Sequence, residues 1–257
     1  MGKKRANTRK RKLSTRYQRL VVIFSISGAI MLAMLCAAVW YLWKVHPTVH
    51  IERSEYPIVG IDVSKHNGDI DFKQVAADSI RFVYIKATEG ASYKDPKFET
   101  NLAGARNAGL AVGAYHYFRL GTDGVSQAEN FHAAIHDKHF DMPIVIDVED
   151  WGNDLFIDRH IALRRLELMV YNLKGKGHNV MIYTNGSGHK KYIYGSSLHE
   201  EQLWICSFKH PSKLSSRYRW KILQYSHWGQ VSGINGDVDL DVFNGTEAEW
   251  MAWTSKK

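Results

Sequence analysis

Eight short apolar runs recur between residues 58 and 243, and they constrain the fold more than any other feature of the chain. They read IVGIDV (58–63), FVYIKA (82–87), AVGAYHYF (111–118), PIVIDVE (143–149), VMIYT (180–184), LWICSF (203–208), KILQYS (221–226) and DVDLDVF (237–243). Each has the length of a strand, and amphipathic segments separate the early ones, which is the pattern of parallel strands joined by crossovers. Pro96 to Asn107, closed by Gly109, is a helix candidate, and Ser126 to His136 carries apolar residues at helical spacing. Asp158 to Lys174 opens on an acidic cap and stops at Gly175 and Gly177. Later intervals are shorter and richer in Gly and Ser, so some crossovers are expected to lack helices. The expectation is an α/β fold, a modified (β/α) barrel with some helices reduced or missing. A doubly wound open sheet is the alternative, but no G-x-G-x-x-G follows the first run.

Ahead of these runs lies a segment of another kind. Leu20 to Trp43 is 24 residues without a charge, and about 20 apolar helical residues span a bilayer. Tyr17, Trp40, Tyr41 and Trp43 flank it as interfacial aromatics do. Nine basic residues precede the run and Lys44 alone follows it, a strong positive-inside bias. The expected organisation is a basic cytoplasmic tail (1–19), a transmembrane helix (20–43), a linker (44–57) and an exported barrel (58–253). A cleaved signal peptide is the competing reading; against it, the run exceeds the usual 7–15 apolar residues and no clean A-x-A site ends it. Cys36 follows the bulky Leu35, which does not suit lipoprotein processing.

The same segment explains the charge of the chain. The formal net charge is +8, yet residues 1–50 hold ten of the 34 Lys and Arg and no acid. From Ile51 onward 24 basic residues face 26 acidic ones. A nucleic-acid-coating domain is thereby excluded, and the basic tail has a sufficient reason in topology. Cys36 in the apolar run and Cys206 in the body are not expected to pair, so the fold must hold by its core. A monomer is expected.

Polar residues gather where the strands of such a barrel end, which is where barrel sites lie. They are Asp62, Lys86, Glu89, Tyr115, His116, Tyr117, Asp147, Glu149, Tyr183, Gln224 and Asp239. Carboxylates inside apolar strands are poor choices for packing alone. Asp147 and Glu149, two apart in VIDVE, leave one face of a strand with backbones about 6.5–7 Å apart. Such a pair repels, which raises one pKa and leaves the other group ionised. A glycosidase needs that split: a protonated acid for the leaving oxygen and an anion near the oxocarbenium centre. Tyr93, Tyr115, Tyr117, Tyr183 and Trp204 suit sugar stacking, and each equally suits wall packing.

GIDVS (60–64), FVYIKATEG (82–90) with Tyr93, GAYHY (113–117), VIDVE (145–149), YTN (183–185), LQYS (223–226) and GINGDVDLDVF (233–243) occur in an order that resembles glycoside hydrolase family 25, the Chalaropsis-type or cellosyl-like muramidases. The resemblance runs from about Val59 to Phe243. It implies an α/β barrel with several helices reduced, and hydrolysis of the β-1,4 bond between N-acetylmuramic acid and N-acetylglucosamine in peptidoglycan. It further implies Glu149 as acid/base with Asp147 beside it, Asp62 and Asp239 as the other catalytic-site acids, and a sugar groove of Lys86, Glu89, Tyr93, Tyr115 and Tyr183, to which the strand-end reading adds Tyr117, Trp204 and Gln224 as expected substrate-binding residues. Peptidoglycan strands are the implied partner, the apolar run outside the family pattern adds the membrane, and no cofactor or metal is expected. Where the family usually has Asn in V-D-x-N, this chain has Asp241.

Other classes fit less well. Family 18 chitinases need aspartates where this chain has Val145 and Met142. His132, His136 and His139 have a metal-like spacing, but no cysteine or acid accompanies them as a fourth ligand. The non-enzymatic rival is a catalytically weak peptidoglycan-binding barrel, against which stand the four intact acids.

Overall fold

The computed structural model describes residues 3–44, 49–154 and 156–255. Residues 1–2 of the expected tail, 45–48 of the expected linker and the side chain of Trp43 lie outside the described part. The chain divides into two compact units, Met1–Pro47 and Thr48–Lys257.

The first unit is one helix, α1 (Lys3–Lys44). Its segment Thr15–Tyr41 contains an 18-residue window of mean hydropathy 2.5 and is long and apolar enough to cross a membrane. Leu20, Phe24, Met31 and Leu35 are exposed along it, unlike the apolar face of a core helix.

The second unit is a closed barrel. Its strands are β1 (Val59–Val63), β2 (Phe82–Glu89), β3 (Tyr93–Lys94), β4 (Ala111–Tyr117), β5 (Ile144–Asp147), β6 (Val180–Asn185), β7 (Gln202–Cys206), β8 (Trp220–Gly229) and β9 (Val238–Phe243). Every expected run forms a strand. The sheet runs β1-β9-β8-β7-β6-β5-β4-β2, and β1 pairs with β2 to close it; β3 is a two-residue addition to β2. The strands from β1 through β8 pair in parallel except at β3.

The last strand departs from the all-parallel expectation: β9 runs antiparallel to both β8 and β1. Eight residues join β8 to β9, whereas a parallel crossover needs about a dozen or more. The connection is therefore a hairpin.

Helices cover the first part of the barrel and thin out later. They are α2 (Phe72–Ala77), α3 (Phe98–Asn107), α4 (Gly124–Ile135) and α5 (Arg159–Gly175). After β6 only the single turn α6 (Gly186–Gly188) and a π-helical turn (His189–Ile193) follow, and after β7 only 3₁₀ turns. Asp123 and Asp158 cap α4 and α5 by accepting backbone N–H bonds.

The core has two layers. One lies between strands and helices and holds Val83, Ile85, Phe118, Phe131, Ile146, Leu166 and Ile205. The other fills the barrel and holds Phe82, Tyr84, Val145, Met181, Trp204, Ile222 and Phe243, with Trp250 and Trp253 of α7 (Glu247–Thr254) against it. Two glycines make room for the inner rings. A Cβ on Gly60 would stand 2.3 Å from the Phe82 ring, and one on Gly113 2.2 Å from Tyr84. Tyr84 stacks on Trp204 at 4.8 Å. Inward positions alternate along each strand, so the polar residues at the strand ends crown this packed interior.

Candidate active site

At the C-terminal ends of the parallel strands lies a cavity of about 720 Å³. Its lining includes Asp62, Lys86, Glu89, Tyr115, Tyr117, Asp147, Glu149, Tyr183, Trp204, Gln224 and Asp239. Of the residues expected from the sequence, Tyr93 and His116 are absent from that lining. Tyr93 pairs with Glu89 through β3, and its ring faces Lys65 at 5.2 Å and Lys86 at 5.8 Å. His116 points away from the cavity and is buried between Thr88 Oγ1 (2.7 Å) and Gln127 Oε1 (3.2 Å). Burial lowers its pKa to about 4, so it is a neutral structural group.

Register explains the convergence. Tyr117 lies beside Asp147, Asp147 beside Tyr183, Tyr183 beside Trp204, and Asp62 beside Asp239. β5 ends at Asp147, but Val148 N still donates to Tyr183 O at 2.9 Å, so the extended spacing continues to Glu149. Both carboxyls therefore line one cavity, as two residues apart on a strand should.

Hydrogen bonds fix the floor. The Tyr183 hydroxyl donates to Gln224 Oε1 at 2.7 Å, and Gln224 Nε2 donates to Asp62 Oδ2 at 2.7 Å. Trp204 Nε1 donates to Asp241 Oδ1 at 2.8 Å beneath them, so the buried Trp204 is wall and not platform. At one side Lys86 pairs with Glu89 at 2.7 Å, and Arg119 Nε reaches the same carboxylate at 2.8 Å. At another, His227 Nδ1 stands 2.6 Å from Asp239 Oδ1. Among the described residues, Asp147 Oδ1 and Asp241 Oδ2 are buried with no hydrogen-bond partner.

So many acids in one cavity cannot all ionise freely. Burial, then the Asp239 and Asp241 charges, hold Asp62 well above the usual carboxylate range. Burial, then the Glu149 charge, do the same to Asp147, with Lys86 opposing. Burial raises Glu149 too, against the opposing charge of His227. Burial raises Asp241, and the Asp239 charge adds to it. The sequence suggests one raised carboxyl and one ordinary one; instead both members of the pair rise, because both are desolvated, with the charge of Glu149 adding to Asp147 and that of Asp239 adding to Glu149. For His227, burial works against protonation, but the bond and charge of Asp239 prevail and its pKa is raised.

Ser64, His66, Arg119, Trp151, Gly152 and His227 also line the cavity and were not legible beforehand. Arg119 and Trp151 each lie two residues beyond an expected site residue, so extending the period-2 reading past the strand ends would have found them. His227 is brought to Asp239 by the antiparallel hairpin, which an all-parallel reading does not contain.

Comparison with known proteins agrees with this architecture. Residues 61–234 match the family described as Glycosyl hydrolases family 25, a match that stops short of β9 and Asp239. The chain is similar to the uncharacterized protein YegX of Escherichia coli O157:H7, 33% identical over 242 residues that cover 92% of this chain and 88% of the relative. It is 31% identical to lysozyme M1 of Streptomyces globisporus, over 76% of this chain and 70% of that protein. The structure of a family 25 glycosyl hydrolase from Bacillus anthracis superposes with a TM-score of 0.73 at 32% identity, covering 82% of this chain and 99% of that one. With the sequence match spanning most of the barrel and the fold reproduced in a family 25 structure, the chain belongs to glycosyl hydrolase family 25.

Proposed function

We propose that the chain is a muramidase of the lysozyme type, which hydrolyses the β-1,4 bond between N-acetylmuramic acid and N-acetylglucosamine in peptidoglycan. The observation that carries the reading is the convergence of Asp62, Asp147, Glu149 and Asp239 on one cavity. Glu149 is the acid/base: its raised pKa keeps a proton available for the leaving oxygen. Asp147, with a buried Oδ1 lacking any partner among the described residues, accepts the N–H of the substrate's acetamido group. The acetamido oxygen then attacks the anomeric carbon as Glu149 protonates the departing sugar. Water opens the resulting oxazolinium ring and returns a proton to Glu149. That N–H bond favours ionised Asp147 on binding, offsetting the burial that holds it protonated. Asp62 and Asp239 shape the polar floor, and Lys86, Glu89, Tyr115, Tyr117, Tyr183 and Gln224 line the groove.

The assay is digestion of purified peptidoglycan followed by borohydride reduction and mass spectrometry. New reduced ends on N-acetylmuramic acid are expected. Reduced N-acetylglucosamine ends would make the enzyme a glucosaminidase, and no new ends would leave a peptidoglycan-binding barrel.

The apolar helix and the basic residues before it support a single-pass anchor with the N-terminus in the cytoplasm and the barrel on the wall side. The full-length chain should sediment with membranes and be cut by protease added from outside. A soluble exported form beginning after the apolar segment would make that helix a signal sequence instead.

A further inference from the structure

Trp151 is 79% exposed, although it lines the same cavity as Glu149. An indole has a large apolar surface to cover, and here the backbone that presents it is held on both sides. The Tyr117 hydroxyl donates to the Trp151 carbonyl, and the Arg119 guanidinium donates to that of Gly152. Asn153 Nδ2 donates to Phe118 O and Glu149 O, each at 3.0 Å, and Asn153 Oδ1 accepts from Leu120 N at 2.9 Å. Before the tryptophan, Asp150 is held by Lys191, Tyr192 (3.3 Å) and Ser187 (3.4 Å). Gly152 adopts φ +69, and a Cβ there would meet the Tyr117 hydroxyl at 3.0 Å, so the turn is tied closely to β4. An apolar ring left in water on so constrained a turn is preorganised for a ligand.

We propose that Trp151 is a sugar-stacking shelf that extends the cleft and holds one further N-acetylated hexose of the glycan strand, beyond the two sugars flanking the cut bond. The apolar face of a pyranose covers the indole, while Arg119 and Glu89 in the adjoining lining meet its hydroxyl and amide groups. The shelf is continuous with the catalytic cavity, so its occupant is the strand already threaded there. The inference rests on the muramidase reading, and it turns that cleavage site into one that prefers long strands.

The experiment compares the full-length chain with Trp151→Ala and Trp151→Phe on long glycan strands and on a disaccharide that fills only the two positions flanking the cut bond. Trp151→Ala should raise KM on long strands roughly three- to tenfold and leave kcat within about twofold, with Trp151→Phe between the two. On the disaccharide the three proteins should be alike. Strand binding is read separately in Glu149→Gln, with and without Trp151→Ala, by sedimentation with insoluble peptidoglycan. An unchanged KM together with unchanged binding overturns the shelf while leaving the muramidase standing. Absence of cleavage by the unaltered chain overturns the muramidase, and the binding arm then still decides the shelf. A change in oligomeric state with Trp151→Ala, at equal glycan binding, would assign the indole to a protein contact and also overturn the shelf.

Discussion

Glu149 and Asp147 are two residues apart in sequence and share one desolvated cavity, where the charge of Glu149 helps to raise the pKa of Asp147. Glu149→Gln keeps the shape of the side chain but removes its proton, so turnover should fall by about 10²–10⁴-fold, measured as released reducing ends. Asp147→Asn should be severely impaired too, the two losses should be far from additive, and no sugar ester should be trapped on Asp147. Near-normal turnover by Glu149→Gln would remove it as the acid. His227 sets the other half of this chemistry. Its protonated ring lowers the pKa of Glu149, and its own pKa is raised by Asp239. Removing that positive charge lets Glu149 hold its proton to higher pH. Hence His227→Gln should move the alkaline limb of the kcat/KM profile upward; a downward shift would reverse the proposed coupling. The acids were readable from the sequence because a carboxylate in an apolar strand is costly without a purpose. His227 was not, since nothing in QYSHW announces a partner 12 residues later across a hairpin.

At the scale of elements, hydrophobic period and caps made most of the barrel legible, while closure was not. α3, α4 and α5 were expected at nearly their observed bounds because Asp158 caps α5, Gly109 and Gly177 follow the ends of α3 and α5, and α4 carries apolar residues at helical spacing, although its Asp123 cap was not read. The direction of β9 was missed because period-2 apolarity is the same for parallel and antiparallel strands; only the short connection from β8 distinguishes them. Packing of α4 on α5 depends on a position that no pattern marks. A Cβ on Gly124 would fall 1.9 Å from the Arg165 carbonyl oxygen, a backbone atom that cannot step aside. Gly124→Ala should therefore destabilise the barrel by about 1–3 kcal/mol as an overpacked site. Thermal unfolding tests this, and an unchanged midpoint would mean that the two helices can separate freely. Asp158→Ala, which removes two accepted N–H bonds at the start of α5, should cost about 1 kcal/mol.

Across the whole molecule, the concentration of acids that serves the cavity weakens the fold at neutral pH. Asp62, Asp147 and Asp241 have folded-state pKa values raised well above the ordinary range. A raised carboxyl contributes stability that is present below its unfolded pKa and lost as pH rises through the folded value. His227, also raised, acts in the same direction. Exposed acids with lowered values, such as Asp69 and Asp71, act oppositely, but their contribution is small in solvent and is lost only below the ordinary carboxylate range. The thermal midpoint should thus be higher at about pH 5 than at about pH 8, against the usual fall of stability toward acid. Asp241 gives the decisive substitution, because it is fully buried and accepts one bond from Trp204 that an amide oxygen can also accept. Asp241→Asn removes the need to bury a charge while keeping that bond. It should raise the midpoint at about pH 8 more than at about pH 5, flattening the pH dependence. A lower midpoint at the alkaline end would show that the Asp241 charge stabilises the barrel, and that the carboxylates beneath the cavity are compensated by their surroundings.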